Sequence, residues 1–302
     1  MIRLLGLSAV ILALTSVSAI AQDENGCVDI DKNHGSLFDA PFVPSGTPLL
    51  SRFGFDLSHG RDNHIKQILV WPGLPPGMIR LDFSDDDPFG GVFTSNDDYC
   101  FNVTHINMVD ARIRQVTRGL DICDAPQCTV PLDRPNGDFV FVLIGFQFSF
   151  REHDNHIKEI AILENNGQLT VAFHDRQFNP PEDTFTWSVQ YAYVPSDRFS
   201  QVGEINGTRA HDRVIGAIPA GEAVLRGFRF IYQPYFTDGD DHHLQQISVR
   251  PNPGGSAFLV FRDDNGDDGF DWDYRWAILR TLVVLPGEAA PPPVTKSPIE
   301  RR

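Results

Sequence analysis

Apolar residues fall at every second position through much of this 302-residue chain, in three blocks that repeat the same order. The leading strand of the first block carries Phe53, Phe55 and Leu57 on one face. Its counterparts are Phe146, Phe148 and Phe150, then Phe228, Phe230 and Tyr232. A period of two places such side chains on one side of an extended chain, so each block opens on a half-buried β-strand. A shared polar phrase follows. It reads Asp62-Asn63-His64-Ile65-Lys66-Gln67-Ile68, then Asp154-Asn155-His156-Ile157-Lys158-Glu159-Ile160, then Asp241-His242-His243-Leu244-Gln245-Gln246-Ile247.

The rest of each block is also common to the three. A short aliphatic strand leads to a turn rich in Gly, Asn or Pro, such as Glu164-Asn165-Asn166-Gly167, where Asn-Gly suits a tight hairpin. The next strand ends in Phe83-Ser84-Asp85, Phe173-His174-Asp175 or Phe261-Arg262-Asp263, and an acidic loop precedes a final aromatic strand. That last strand alternates Phe185, Trp187, Val189, Tyr191 and Tyr193 in the second block. The third block has Phe270, Trp272, Tyr274 and Trp276 there. Such rows mark Trp187 and Trp272 as core before they mark them as sugar-stacking surfaces.

From Asp62 to Asp154 is 92 residues, and from Asp154 to Asp241 is 87. Helical periodicity is nearly absent; Arg112 to Leu120 fits a short helix or a strand. The predicted fold is all-β, three tandem antiparallel β-sandwich modules of about ninety residues each. Their predicted bounds are 22–110, 111–195 and 196–286. Residues 287–302, with Pro291-Pro292-Pro293, read as a disordered tail.

The first 21 residues predict a cleaved secretory signal. Arg3 precedes an apolar run from Leu4 to Ile20, and Ala19-Ile20-Ala21 supplies the small-x-small pattern before Gln22. No later segment is long and apolar enough to span a bilayer, so the expected location is secreted or periplasmic. Removing residues 1–21 takes one Arg and no acid, moving the net charge from −15 to −16. That excludes nucleic acid as the natural partner, because phosphates need a basic face. In an oxidising compartment the four cysteines read as disulfides: a local bridge between Cys123 and Cys128 would leave Cys27 for Cys100, with a zinc site of all four thiolates as the alternative.

Two cation chemistries stand out. In each copy the Asp and His of the phrase are two apart and, in extended chain, share a side. Adding the Asp at the end of the following strand gives Asp62/His64/Asp85, Asp154/His156/Asp175 and Asp241/His243/Asp263. Two carboxylates and an imidazole suit zinc or manganese. The competing reading, which the turn-forming habit of Asp and Asn favours, is that these groups hold a strand corner. The third copy alone crowds Asp238, Asp240, Asp241, Asp263, Asn265 and Asp267 into two loops, a calcium candidate. The run departs from an EF-hand loop because Asp268 stands where Gly is needed.

No nucleophile elbow, metalloprotease helix motif or phosphate-cradling glycine loop is present. The expected function is therefore a non-enzymatic, exported binding or adhesion protein, with calcium as the candidate cofactor and extracellular carbohydrate or protein as partner. Modules in series favour it, since several weak sites on one chain raise avidity. A metal-dependent hydrolase built on an Asp/His/Asp group is the alternative from another class, and a structural spacer protein is the third.

Overall fold

The computed structural model describes residues 19–28, 37–57, 64–73, 75–85, 99–150, 156–175, 184–232, 243–263 and 269–280. The first repeat contributes β1 (Ala19–Val28), β2 (Phe38–Pro41), β3 (Thr47–Leu57), β4 (Ile65–Pro72), β5 (Met78–Asp85) and β6 (Tyr99–Met108). The second contributes β7 (Arg114–Cys123), β8 (Gln127–Pro131), β9 (Phe139–Phe150), β10 (Ile157–Asn165), β11 (Gln168–Asp175) and β12 (Phe185–Pro195). The third contributes β13 (Phe199–His211), β14 (Arg213–Ala217), β15 (Ala223–Tyr232), β16 (Leu244–Asn252), β17 (Ser256–Asp263) and β18 (Gly269–Leu279). The ambiguous segment from Arg112 is thus strand β7, as its Val116 and Thr117 permit.

All pairing is antiparallel, in three six-stranded sheets ordered β1-β6-β3-β16-β17-β14, β2-β5-β4-β9-β12-β7 and β13-β18-β15-β10-β11-β8. Within each repeat the first, third and sixth strands belong to one sheet and the second, fourth and fifth to another. Every repeat is therefore a six-stranded sandwich of two half-sheets, and each half-sheet continues into a neighbouring repeat. The seams are β4–β9, β10–β15 and β16–β3, the last joining the third repeat back to the first. Each seam has four aligned residue pairs, ending at Val70 opposite Phe146, Ile162 opposite Phe228 and Val249 opposite Phe53.

One core cluster runs through all three sandwiches. At its centre Phe53, Phe146 and Phe228, one from each repeat, meet with ring centroids 4.9 to 5.5 Å apart. A second cluster gathers Leu49, Val142 and Val224 with the closing residues of the sixth strands. The aromatic alternation read from sequence lies inward as expected: Phe185, Trp187, Val189 and Tyr193 are all buried. In the β10–β11 hairpin Asn166 and Gly167 both have positive φ, 51° and 79°. That is the backbone a two-residue type I′ turn requires.

Both predicted disulfides are formed, Cys27–Cys100 across β1 and β6 and Cys123–Cys128 across the β7–β8 loop. Residues 1–18 of the predicted signal and all of 281–302 lie outside the described residues, while Ala19 to Ala21 pair with Met108 to Ile106. Gln22, the residue after the predicted cleavage site, lies opposite His105. Among the described residues no helix is long and apolar enough to cross a membrane.

Glycine is required where a seam closes. A Cβ added at Gly145 would lie 2.4 Å from the Val70 carbonyl oxygen and 2.8 Å from Pro72 Cδ. Backbone cannot yield there without parting β9 from β4. Gly145→Ala is expected to destabilise the protein by about 2 kcal/mol, the scale of overpacking in a dense interior. Urea unfolding checks it, and a loss below about 0.5 kcal/mol would mean the seam opens freely.

Candidate metal centre

The three histidines of the repeated phrase come together. His64, His156 and His243 each stand one residue before the fourth strand of their repeat. Their ring centroids are 5.0 Å (His64–His156), 5.3 Å (His64–His243) and 5.0 Å (His156–His243) apart. One ring nitrogen of each lies within 4.8 Å of the other two, and all three residues are half-buried. They lie at the end of the molecule where the third strands finish, opposite the end where the second core cluster joins their starts.

The local reason is a bulge written into each copy. Register shifts between Ile65 and Gln67, between Ile157 and Glu159, and between Leu244 and Gln246. The extra residues are Lys66, Lys158 and Gln245. Ile65 and Ile68 are consequently both fully buried although three residues apart, as are Ile157 with Ile160 and Leu244 with Ile247. Strict alternation would send one of each pair to solvent. A bulge bends and twists its strand, re-aiming the residues at its end. Repeated around the molecule, that bend carries three imidazoles inward to one point.

Three imidazoles are a borderline-soft nitrogen donor set. Zinc accepts them at about 2.0–2.1 Å, which puts ligand nitrogens roughly 3.3 Å apart in a tetrahedron, so modest side-chain rotation closes the set. Copper and nickel share the preference, whereas calcium takes oxygen ligands. Three protein nitrogens leave a fourth tetrahedral position for water or a ligand.

In sequence each His has its own pair of candidate carboxylates; in the structure the three imidazoles also come together, one from each repeat. Asp85, Asp175 and Asp263 sit opposite Ile65, Ile157 and Leu244, each next to the His, so the backbone juxtaposition expected from sequence is present. Of these three side chains only Asp263 is described. It is 2 % exposed, and its carboxylate lies near Asp212, whose pKa is raised by burial first and by Asp263 among other charges. Asp62, Asp154 and Asp241 lie outside the described residues, as do the calcium candidates Asp238, Asp240, Asn265 and Asp267. Trp187 is core, and half-buried Trp272 packs against the same core cluster, its ring lying over Gly207 of β13.

A fourth histidine lies outside the repeated phrase. His105, on β6, is fully buried against Phe42, with ring centroids 5.2 Å apart. Its Nε2 lies 2.8 Å from the Ile144 carbonyl oxygen and must be the donor, since a carbonyl only accepts. Ile144 is the extra residue of a bulge in β9, so its carbonyl stands out of the ladder. Burial pulls the His105 pKa from 6.5 down to about 4, against the raising effect of that bond. The ring is a neutral structural group. Its position in an alternating core row, where the second and third repeats have Tyr191 and Trp276, was the available signal.

No known protein-family description matches the chain, and no curated protein is similar enough to count as a relative.

Proposed function

We propose that the chain is an exported, non-enzymatic binding protein whose three repeats are clamped by one zinc-class ion on His64, His156 and His243. The convergence of these histidines carries the reading. Each comes from a different repeat, so one ion ties together segments 92 and 87 residues apart in sequence. The seams place corresponding surfaces of the three repeats around the chain, an arrangement suited to multivalent attachment to extracellular carbohydrate or protein. Two disulfides accord with export. The hydrolase reading draws on one observation: three imidazoles with an open fourth position are also the donor set that activates water.

Elemental analysis of zinc-loaded protein is expected to give one ion per chain. Chelation lowers the melting temperature by the equivalent of about 3 kcal/mol when free metal had been near one hundred times its dissociation constant. His156→Ala abolishes the stoichiometric zinc and the chelator effect together. Three ions per chain would restore separate sites in each repeat, and none would sink the centre. Saccharide and protein arrays read the binding half of the proposal. Zinc-dependent ester hydrolysis lost in His156→Ala would transfer the assignment to the hydrolase reading.

A further inference from the structure

The seam between the third and first repeats differs chemically from the other two, independently of the metal centre. Its inward face carries Ile247, Val249, Phe53 and Phe55. Its opposite face carries Gln246, Ser248 and Arg250 on β16 and Arg52, Gly54 and Asp56 on β3, with Arg262 beside them on β17. At the positions of Gly54, Ser248 and Arg250 the second seam has Arg229, Ala161 and Leu163, and there Arg229 Nε donates to Glu159 at 2.6 Å. The first seam has Gln147, Leu69 and Trp71. A chain of net charge −15 thus gathers three arginines on one sheet face.

Two of these arginines have carboxylates. Arg52 reaches Asp23 at 2.9 Å and also donates to the Thr104 hydroxyl. Asp56 accepts from Gln246 Nε2 at 2.9 Å on one oxygen and has Arg262 at 3.5 Å from the other. Arg250 forms no ion pair or hydrogen bond with a carboxylate among the described residues, although the Asp56 charge acts on it. Its Nε is buried without a hydrogen-bond partner, as is Arg262 Nε. The Ser248 hydroxyl, on a fully buried residue one register position away, also has none. Gly54 makes room for the guanidinium: a Cβ there would meet Arg250 Nη2 at 2.9 Å and Nε at 3.1 Å. Burial lowers the Arg250 pKa, with Asp56 opposing and Arg52 reinforcing. A half-desolvated guanidinium without its anion is costly unless a ligand supplies the charge.

We propose that this face is an oxyanion-binding site in which Arg250 is the principal donor, flanked by Arg262, Arg52 and the Ser248 hydroxyl. The ligand group is a sulfate ester or a carboxylate, whose oxygens match the planar fork of arginine. Such groups occur on acidic saccharides, so the site supplies the binding protein above with a ligand class.

Calorimetric titration at low salt tests it with four probes: inorganic sulfate, a sulfated oligosaccharide, an unsulfated uronate oligosaccharide and a neutral oligosaccharide. Sulfate and at least one acidic saccharide bind, and the neutral one does not. The stronger acidic saccharide identifies the group. Arg250→Gln lowers affinity by about tenfold or more, the scale of a charge-assisted bond, without lowering the melting temperature. Gly54→Ala has a similar effect by displacing the guanidinium, while Arg226→Gln, at a half-buried arginine on β15, changes nothing. Unaltered affinity in both Arg250→Gln and Gly54→Ala, or no binding of any acidic probe, overturns the site. Because no probe contains metal, failure here leaves the zinc clamp standing, and failure of the clamp leaves this site standing.

Discussion

Phe146→Ala is expected to remove about 3–5 kcal/mol of stability, a large share of the 5–15 kcal/mol typical of a folded domain. Phe146 is fully buried and lies 5.1 Å from Phe53 and 5.5 Å from Phe228, ring to ring. Each of these rings belongs to a different repeat and stands at the last pair of a seam. Truncating one opens a cavity that no single repeat can collapse to fill, because the walls are shared by all three. Loss should therefore appear as one cooperative transition, shifted as a whole. Val202→Ala, on an exposed edge position, provides the control with a change near zero. Hydrogen exchange across the transition checks the point. Protection lost in the second repeat alone, with the others intact, would show that the repeats are energetically separate.

The second large effect is on acid sensitivity. The folded His105 takes its proton near pH 4, whereas in the unfolded chain it does so near 6.5. Above pH 6.5 neither state is protonated there, and His105 leaves stability independent of pH. Between 6.5 and about 4 the unfolded chain binds a proton that the folded one refuses, so stability falls with pH, on the order of 3 kcal/mol in all. An ion held by the proposed clamp would add a pH dependence of its own, because protons compete with metal for its ligands. The measurement is therefore made on chelated protein, comparing urea midpoints at pH 7.5 and 4.5. His105→Gln keeps a donor for the Ile144 carbonyl but does not titrate, and it should flatten the dependence. An equal slope in wild type and variant would assign the acid sensitivity to carboxylates elsewhere.

Much of this architecture was legible in the residues. Alternation named the strands, and Asn166-Gly167 named a turn. The three copies of the Asp-x-His phrase set the period. What alternation does not carry is partnership. It says which face of a strand is dry but not which strand lies beside it, and Gln246 pairs with Asp56 across 190 residues. Hence the sandwiches were expected in series, while in fact each half-sheet runs on into the next repeat. The same gap governed the histidines. A single copy shows each His only the acids close in its own sequence, whereas three equivalent copies around a common centre also bring equivalent side chains together. The bulges at Lys66, Lys158 and Gln245 that direct them inward are register events, invisible to composition. One arginine in an alternating strand, such as Arg250, reads from sequence as ordinary surface. Its unpartnered Nε appears only when β3 brings Gly54 against the guanidinium.

The seam β16–β3 has a consequence for how the protein assembles. The two other seams join repeats that follow one another directly along the chain, whereas this one closes a ring between the third repeat and the first without a direct linker. A chain that has folded but not closed presents β3 on one flank and β16 on the other, two unpaired and mutually complementary edges. Another such chain satisfies both, head to tail, and further chains extend the series. Monomer and open polymer thus use the same hydrogen bonds, and dilution favours closure within one chain, a first-order step, over encounter between chains. Whatever strengthens closure, the three shared phenylalanines included, also protects the molecule against linear self-association.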